Sequence, residues 1–217
     1  FKVNIMKTTI LLMTLLNFGT FYSQSAVSFN VTESSKFNIS NLNYQGEIIH
    51  SKFWQDRNGE NIVLFTRKEV REKYEGYPAI TGEIFVFHYA IKNNNVTLLR
   101  KVYDLEKHCQ VDMIINFIES SISVLDLDND NYGEITFAYR KTCAGGVAPY
   151  TLNLLTLENG EKYIIRGSTS IDWGNGDVGG GKKNIDSSFI NGPSVFISNA
   201  NKIWKRLLQE TMQDMSH

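Results

Sequence analysis

Histidine, cysteine and proline are all scarce in this chain, and each scarcity removes a class of function. The four histidines, His50, His88, His108 and His217, stand in no H-x-x-x-H spacing, and the two cysteines make no C-x-x-C. A zinc site therefore has no ligand pattern behind it. No G-x-S-x-G is present, so a Ser-His-Asp hydrolase lacks its nucleophile turn. Excess charge is missing too. With 22 basic against 23 acidic residues the formal net charge is −1, and no overall field recruits nucleic acid or an anionic membrane. Three prolines against 12% aromatic residues, with Thr, Ile, Val, Phe and Tyr recurring in short runs, favour β-structure over disorder. The 217 residues suffice for one ordinary domain with a real core, but not for two comfortable ones.

A long apolar run is absent as well. From Met6 the chain reads MKTTILLMTLLNFGTFYSQSA: a Lys, an apolar stretch from Ile10 to Phe21, then small and polar residues. Asn17 and Gly19 interrupt that stretch, which is already short of the roughly 20 residues a membrane span needs. The pattern reads as a secretory signal peptide cut before Ala26, with Ser23 and Ser25 as the small flanking residues. FKVNI, ahead of Met6, reads as an upstream extension. The expected organisation is a signal peptide with its extension over 1–25 and a single β-rich domain over 26–217. No transmembrane segment is expected in the mature chain. No Cys stands near the cut to carry a lipid, so the protein is expected in the periplasm, at the cell surface or secreted.

Export changes how the cysteines read. Cys109 and Cys143 are the only two, so a single intramolecular pairing exists. In an oxidising compartment a disulfide is expected, bracketing the acidic segment between them. Two free buried thiols are the alternative. A catalytic Cys109 beside His108 is a weaker one, because neighbours on a strand point to opposite faces.

Along the mature chain, residues 26–45 are rich in Ser and Asn, and paired apolar runs with turn residues between them follow. GEIIHSKFW and NIVLFT flank QDRNGE; GEIFVFHYAI and VTLLRKVYDL flank Lys92-Asn93-Asn94-Asn95; YTLNLLTL and KYIIRG flank Glu158-Asn159-Gly160-Glu161. Asn-Gly between alternating apolar runs is a hairpin signal. REKYEGYPAITG, with Pro78 inside it, and the Gly-rich span 173–184 read as loops. VDMIINFI and SISVLDL read as strands, with a helix as the alternative for the first. Near the end, Ala200, Ile203, Trp204, Leu207, Leu208 and Met212 share one helical stripe, with Asn199 as N-cap. The fold class expected is mainly β: antiparallel and hairpin-built, a sandwich or a partial propeller-like sheet, with a C-terminal amphipathic helix. A closed propeller needs about four blades and does not fit this length. FWQDRNGENIVLF and VLDLDNDNYGEITF share one scheme, either as two copies of a supersecondary unit or because hairpin turns resemble one another.

The chemistry concentrates in LDLDNDNYGE, residues 125–134. Hard cations take several oxygen ligands, and acids at loop positions 1, 3 and 5 converge while the chain turns. Here those are Asp126, Asp128 and Asp130; position 7 offers the Tyr132 carbonyl, and Glu134 at position 9 closes the shell. One Ca²⁺ is the expected cofactor. Phe137 stands at position 12, where an EF-hand requires Glu, and strands flank the loop, so an EF-hand is excluded. The loop resembles the strand-flanked calcium loops of FG-GAP and VCBS repeats, with Asn131 in place of their usual Gly; Asn also visits the left-handed region. A solvated acidic turn without metal is the alternative.

Taken in order, FWQDRNGENIVLFT (53–66), DLDNDNYGEITFAYRKTC (126–143), VAPYTLNLL (147–155) and KYIIRG (162–167) resemble an exported Bacteroidota family of surface-polysaccharide (lipopolysaccharide) biosynthesis proteins. The resemblance implies a role in building or displaying surface glycan and supplies no catalytic residues. Two functions are expected from it. The first is a non-catalytic envelope protein, stabilised by one calcium loop, whose partner is a glycan or another envelope protein. Trp54, Tyr77 and Trp173 are aromatic candidates for stacking on sugars, although Trp54 also fits a core position. The second is an envelope glycan hydrolase or transferase with a carboxylate pair drawn from residues such as Glu47, Glu60, Glu83 and Glu134. Gly174, Gly176 and Gly179 spell G-x-G-x-x-G, but no helix follows, and the span reads as a loop.

Overall fold

The computed structural model describes residues 27–30, 32, 39–174 and 176–214, and the expected signal peptide lies outside the described residues. Four long strands, β2 (Glu47–Asp56), β3 (Gly59–Tyr74), β4 (Tyr77–Lys92) and β5 (Asn95–Cys109), form an antiparallel meander in that order. A second antiparallel sheet runs β1 (Val27–Ser28), β6 (Met113–Asp126), β7 (Glu134–Cys143), β8 (Thr151–Glu158), β9 (Glu161–Ser168) and β12 (Lys183–Ile185). Its two outermost strands are only 2 and 3 residues long. Between β9 and β12 the chain makes a small hairpin of β10 (Ser170–Asp172) and β11 (Val178–Gly180). Two helices close the fold, α1 (Ser187–Asn191) and α2 (Ser194–Asp214).

Period-two alternation sorts the strand residues into three apolar layers. Trp54, Val63, Phe65, Ile84 and Val86 of the first sheet meet Ile135, Phe137, Tyr139, Leu155 and Ile164 of the second, so the two sheets pack face to face. The opposite face of the first sheet carries Phe53, Ile62, Leu64, Phe85, Phe87 and Tyr89, covered by Leu42 with Ile39 and Tyr44. This cover is latched by the Tyr89 hydroxyl, which donates to the Asn43 carbonyl. On the far side of the second sheet, Ala138, Leu152, Leu154 and Ile165 lie under Phe196, Ala200, Ile203, Trp204 and Leu207 of α2. Both faces of the central part of each sheet are therefore buried. That is why NIVLFT, IFVFHYA and LNLLTL read as continuous apolar runs rather than alternating ones.

The hairpin turns follow their residues. Asn93 and Asn94 (φ 52° and 63°) and Asn159 and Gly160 (φ 41° and 87°) take the paired left-handed conformations of a type I′ turn. At the β2–β3 turn, Gly59 adopts φ 102°, and a Cβ there would stand 2.5 Å from the Ile91 carbonyl oxygen. REKYEGYPAITG is not a loop. β3 and β4 run on through it and close over Glu75 and Gly76 (φ 53° and 87°). Pro78 opposes Lys73, one pair from the closing pair Tyr74–Tyr77, while β5 first pairs at Ile80. Pairs alternate between bonded and non-bonded, so the ring's missing N–H deprives neither neighbour of a partner.

Other expectations are corrected in detail. VDMIINFI and SISVLDL belong to one strand, β6, whose register against β7 breaks between Ile118 and Ser123. Buried Ser121 repairs the gap: its hydroxyl accepts the Ala138 N–H at 2.7 Å and donates to the Ile118 carbonyl. The Gly-rich span holds β11 and β12 rather than loop alone. Asn199 does not cap the last helix, which starts five residues earlier at Ser194, just after Pro193, and adds Phe196 to the apolar stripe. The single expected helix is a pair, with Asp186 capping α1 by accepting the Ser188 N–H.

Cys109 and Cys143 form a disulfide, which excludes both free thiols and a catalytic Cys109. The bridge joins the end of β5 to the end of β7 and so staples one sheet to the other. It brackets the acidic loop in sequence but not in space. β7 runs its full 10 residues from Glu134 to Cys143, about 30 Å, and sets loop and bridge at opposite ends of the stack.

Candidate metal centre

Four carboxylates converge where β6 passes into β7. One oxygen from each of Asp126, Asp128, Asp130 and Glu134 lies within 4.8 Å of all the others. Oxygens held at 2.3–2.6 Å by a single ion stand no more than about 5 Å apart, so the cluster has the dimensions of one divalent cation site. The backbone builds it. Asn129 and Asn131 adopt φ 61° and 68°, so Asn131 does supply the left-handed turn usually given by glycine. Asp126 pins the turn: its two carboxylate oxygens accept the N–H groups of Asp130 and Asn131, each at 3.1 Å. Asp130 Oδ1 accepts the Tyr132 N–H at 2.8 Å, and Glu134 Oε2 reaches back to the Leu127 N–H.

Several oxygens are left over. Asp128 Oδ1 and Glu134 Oε1 are buried without a hydrogen-bond partner, and Glu134 as a residue is only 1% exposed. Two unit charges 4.8 Å apart repel by about 3–4 kcal/mol at an effective dielectric of 20, a repulsion that a cation among the four would relieve. The titration directions agree. Burial pushes the Asp128 carboxyl up, with the Asp130 charge adding to it. Burial also drives Glu134 far above the ordinary carboxylate range, against the Leu127 N–H bond that favours its ionised form.

Glu158, at the end of β8, is a neighbour of the cluster that sequence reading missed. Its Oε1 is buried and unpartnered, and burial raises its pKa, with the Asp128, Asp130 and Asp126 charges adding to it. In the sequence it reads only as the first residue of an Asn-Gly turn. The pairing of β7 with β8, Ile135 opposite Leu157, brings it beside the loop.

The neighbouring β2–β3 turn locks the loop in place. Asp56 Oδ2 accepts the Gly133 N–H at 2.9 Å and the Trp54 Nε1–H at 2.8 Å, while the Arg57 N–H donates to the Asn131 carbonyl at 2.9 Å. The Arg57 guanidinium lies 5.3 Å from the centre of the Tyr132 ring. A Cβ at Gly133 would meet Trp54 Nε1 at 2.4 Å, so position 8 of the loop has room for nothing larger. The two hairpins that share a scheme in the sequence therefore meet turn to turn. Trp54 is core, while Tyr77 and Trp173 are exposed.

The bridge points to an oxidising compartment. No helix among the described residues is long and apolar enough to cross a membrane. Comparison of the chain with family models, with curated proteins and with solved structures finds no match in any of the three.

Proposed function

We propose that this is an exported, non-catalytic envelope protein, built as a β-sandwich rather than a partial propeller, that binds one Ca²⁺ and serves surface-polysaccharide (lipopolysaccharide) biosynthesis or display. The observation that carries the metal half is the convergence of Asp126, Asp128, Asp130 and Glu134 with two buried, unpartnered carboxylate oxygens. The Tyr132 carbonyl, at loop position 7, is the further oxygen such a site would draw on. The glycan half rests on the resemblance of residues 53–66, 126–143, 147–155 and 162–167 to the exported polysaccharide family.

The alternative, a glycan hydrolase or transferase, needs two carboxyl groups about 5–9 Å apart across an open cleft. Glu134 does not meet that need, because it is only 1% exposed and converges with the acidic loop rather than facing an open cleft. A buried carboxylate beside three others suits a shared cation better than an acid or a nucleophile at a sugar.

Calcium should raise the melting temperature of the purified domain relative to EGTA. At about tenfold excess over Kd the linkage is roughly 1.4 kcal/mol, a few degrees for a domain of this size. Asp128→Ala should lose the calcium response without melting lower in chelator, since the variant loses a ligand and a repelling charge together. Identical wild-type curves in calcium and EGTA would reduce the loop to an acidic turn. For the glycan half, a deletion strain should show an altered surface-glycan profile that wild type restores and Asp128→Ala restores less well. An unchanged profile overturns it.

A further inference from the structure

The second sheet is wider than the first, and beyond the edge strand β5 its inner face lies open. A groove of about 560 Å³ runs there, with β5 as its wall and β7, β8, β9 and β12 as its floor. Strand register lays the floor out in rows. Tyr139, Asn153, Arg166 and Asn184 stand side by side across four strands, with Thr151 and Ser168 in the next row. Four cations line the groove, Lys141, Lys162, Arg166 and Lys182, against a single acid, Asp104. That is a concentrated positive strip on a protein whose net charge is −1.

The cations are not equivalent. Lys141 is held by Asp104 at 2.8 Å, and Arg166 by Asp186 at 3.0 Å. Among the described residues, Lys162 and Lys182 have no acidic partner within 4.0 Å. Lys162 and Arg166 are four residues apart on β9, about 13 Å, and Lys182 lies beside Ser168, about 7 Å further on. Single positive charges are thus strung along a line, with hydroxyl and amide side chains between them. A compact phosphate calls for donors clustered around one point, such as a helix N-terminus. Separated monovalent groups suit this spacing better.

The groove's other features narrow the ligand class. A polar pair crosses from wall to floor: the Tyr139 hydroxyl donates to Asp104 Oδ2 at 2.7 Å, and Asn153 pairs with Tyr139 on the neighbouring strand. Leu155 and Ile164 beneath the groove are core residues, 1% and 5% exposed, so the ligand-facing surface is the polar and cationic row above them. Addition of a peptide strand to β5 is blocked at the centre of the groove. The Leu105 N–H is taken by Asp104 Oδ1 and its carbonyl by Lys141 Nζ, both at 2.8 Å. The floor ring, Tyr139, is 3% exposed, and the wall ring, Tyr103, is stacked on Phe85 with its hydroxyl donated to Glu83, so neither is set across the groove for a nucleobase.

We propose that this groove binds a carboxylated oligosaccharide, with acid groups on Lys162, Arg166 and Lys182 and hydroxyls on the amide and hydroxyl side chains between them. The ligand class leans on the glycan reading above; the place and the charge rest on the groove alone.

Calorimetric titration of the calcium-loaded protein tests it with a hyaluronan tetrasaccharide, neutral chitotetraose, tetraglutamate and inorganic phosphate. The tetrasaccharide should bind saturably, and the other three at least tenfold more weakly. Lys162→Glu with Lys182→Glu should weaken binding at least tenfold at an unchanged melting temperature, while Lys205→Glu on α2 should have no effect. Absence of saturable binding, equal binding of chitotetraose, tetraglutamate or phosphate, or an unaffected double variant would each overturn the proposal. A deletion strain with altered glycan but no groove binding would remove the groove and keep the function. Binding without any glycan phenotype would do the reverse.

Discussion

Opening the Cys109–Cys143 bridge is expected to lower the melting temperature by about 10 °C. The bridge closes a loop over a sequence separation of 34 residues, which stabilises by about 3–4 kcal/mol through the entropy it removes from the unfolded chain. A domain of this size loses about 2–4 °C per kcal/mol. The structural position adds a reason for the full effect to appear. Cys109 is buried at the end of β5, and its partner ends β7 in the facing sheet, so the bond is a direct covalent tie between sheets. The measurement is a melting curve with and without a phosphine reductant, alongside a Cys109→Ala, Cys143→Ala double variant. Identical melting of the oxidised and fully reduced forms would show that the bridge constrains nothing that packing does not already hold.

Acid should destabilise the protein through His88, by about 3 kcal/mol between pH 6.5 and pH 4. This histidine is 1% exposed, packed 5.3 Å from the Trp54 ring centre, and bonded through Nε2 to Asn61 Oδ1 at 2.9 Å. Its Nδ1 has no partner, and burial depresses its pKa to about 4, against a smaller opposing pull from Asp56. The sign follows from proton counts. Between pH 6.5 and 4 the unfolded chain binds a proton that the folded chain refuses, so stability falls as pH falls through that window. At 1.36 kcal/mol per unit, a depression from 6.5 to about 4 gives the expected size. Glu134 and Glu158 act in the opposite sense in chelator. Their raised pKa values mean that the folded state keeps protons the unfolded state gives up, so they favour folding as pH drops. Comparing wild type with His88→Gln at each pH isolates the histidine. The variant should be flatter across the window, and parallel curves would exclude His88 as the cause.

The sequence made the local chemistry readable and the long-range assembly much less so. Asn93-Asn94 and Asn159-Gly160 announced their turns because few residues tolerate two consecutive left-handed conformations. The acidic loop was legible because its four carboxylates lie within nine residues of one another. The outer halves of β3 and β4 were not. From Arg67 to Tyr74 the strand is mostly exposed and highly charged, so no apolar alternation marks it, and it exists through its ladder with β4. Glu158 and Asp56 escaped because their roles depend on which strands lie next to which. The Asp56 bond to Gly133 spans 77 residues. The groove is the extreme case: its cations sit on two different strands and at the end of a loop, and only the width of one sheet against the other brings them together.

The wall of that groove is tied to its floor along its whole length. β5 is joined to β7 by the disulfide at one end, held to it by Asp104, Tyr139 and Lys141 in the middle, and bonded from Arg100 to the Gly160 carbonyl at the other end. Among the described residues these ties leave the wall no free hinge against the floor. A ligand of the kind proposed would find the width of such a slot already set, so it would recover no free energy from a jaw closing and lose none to one.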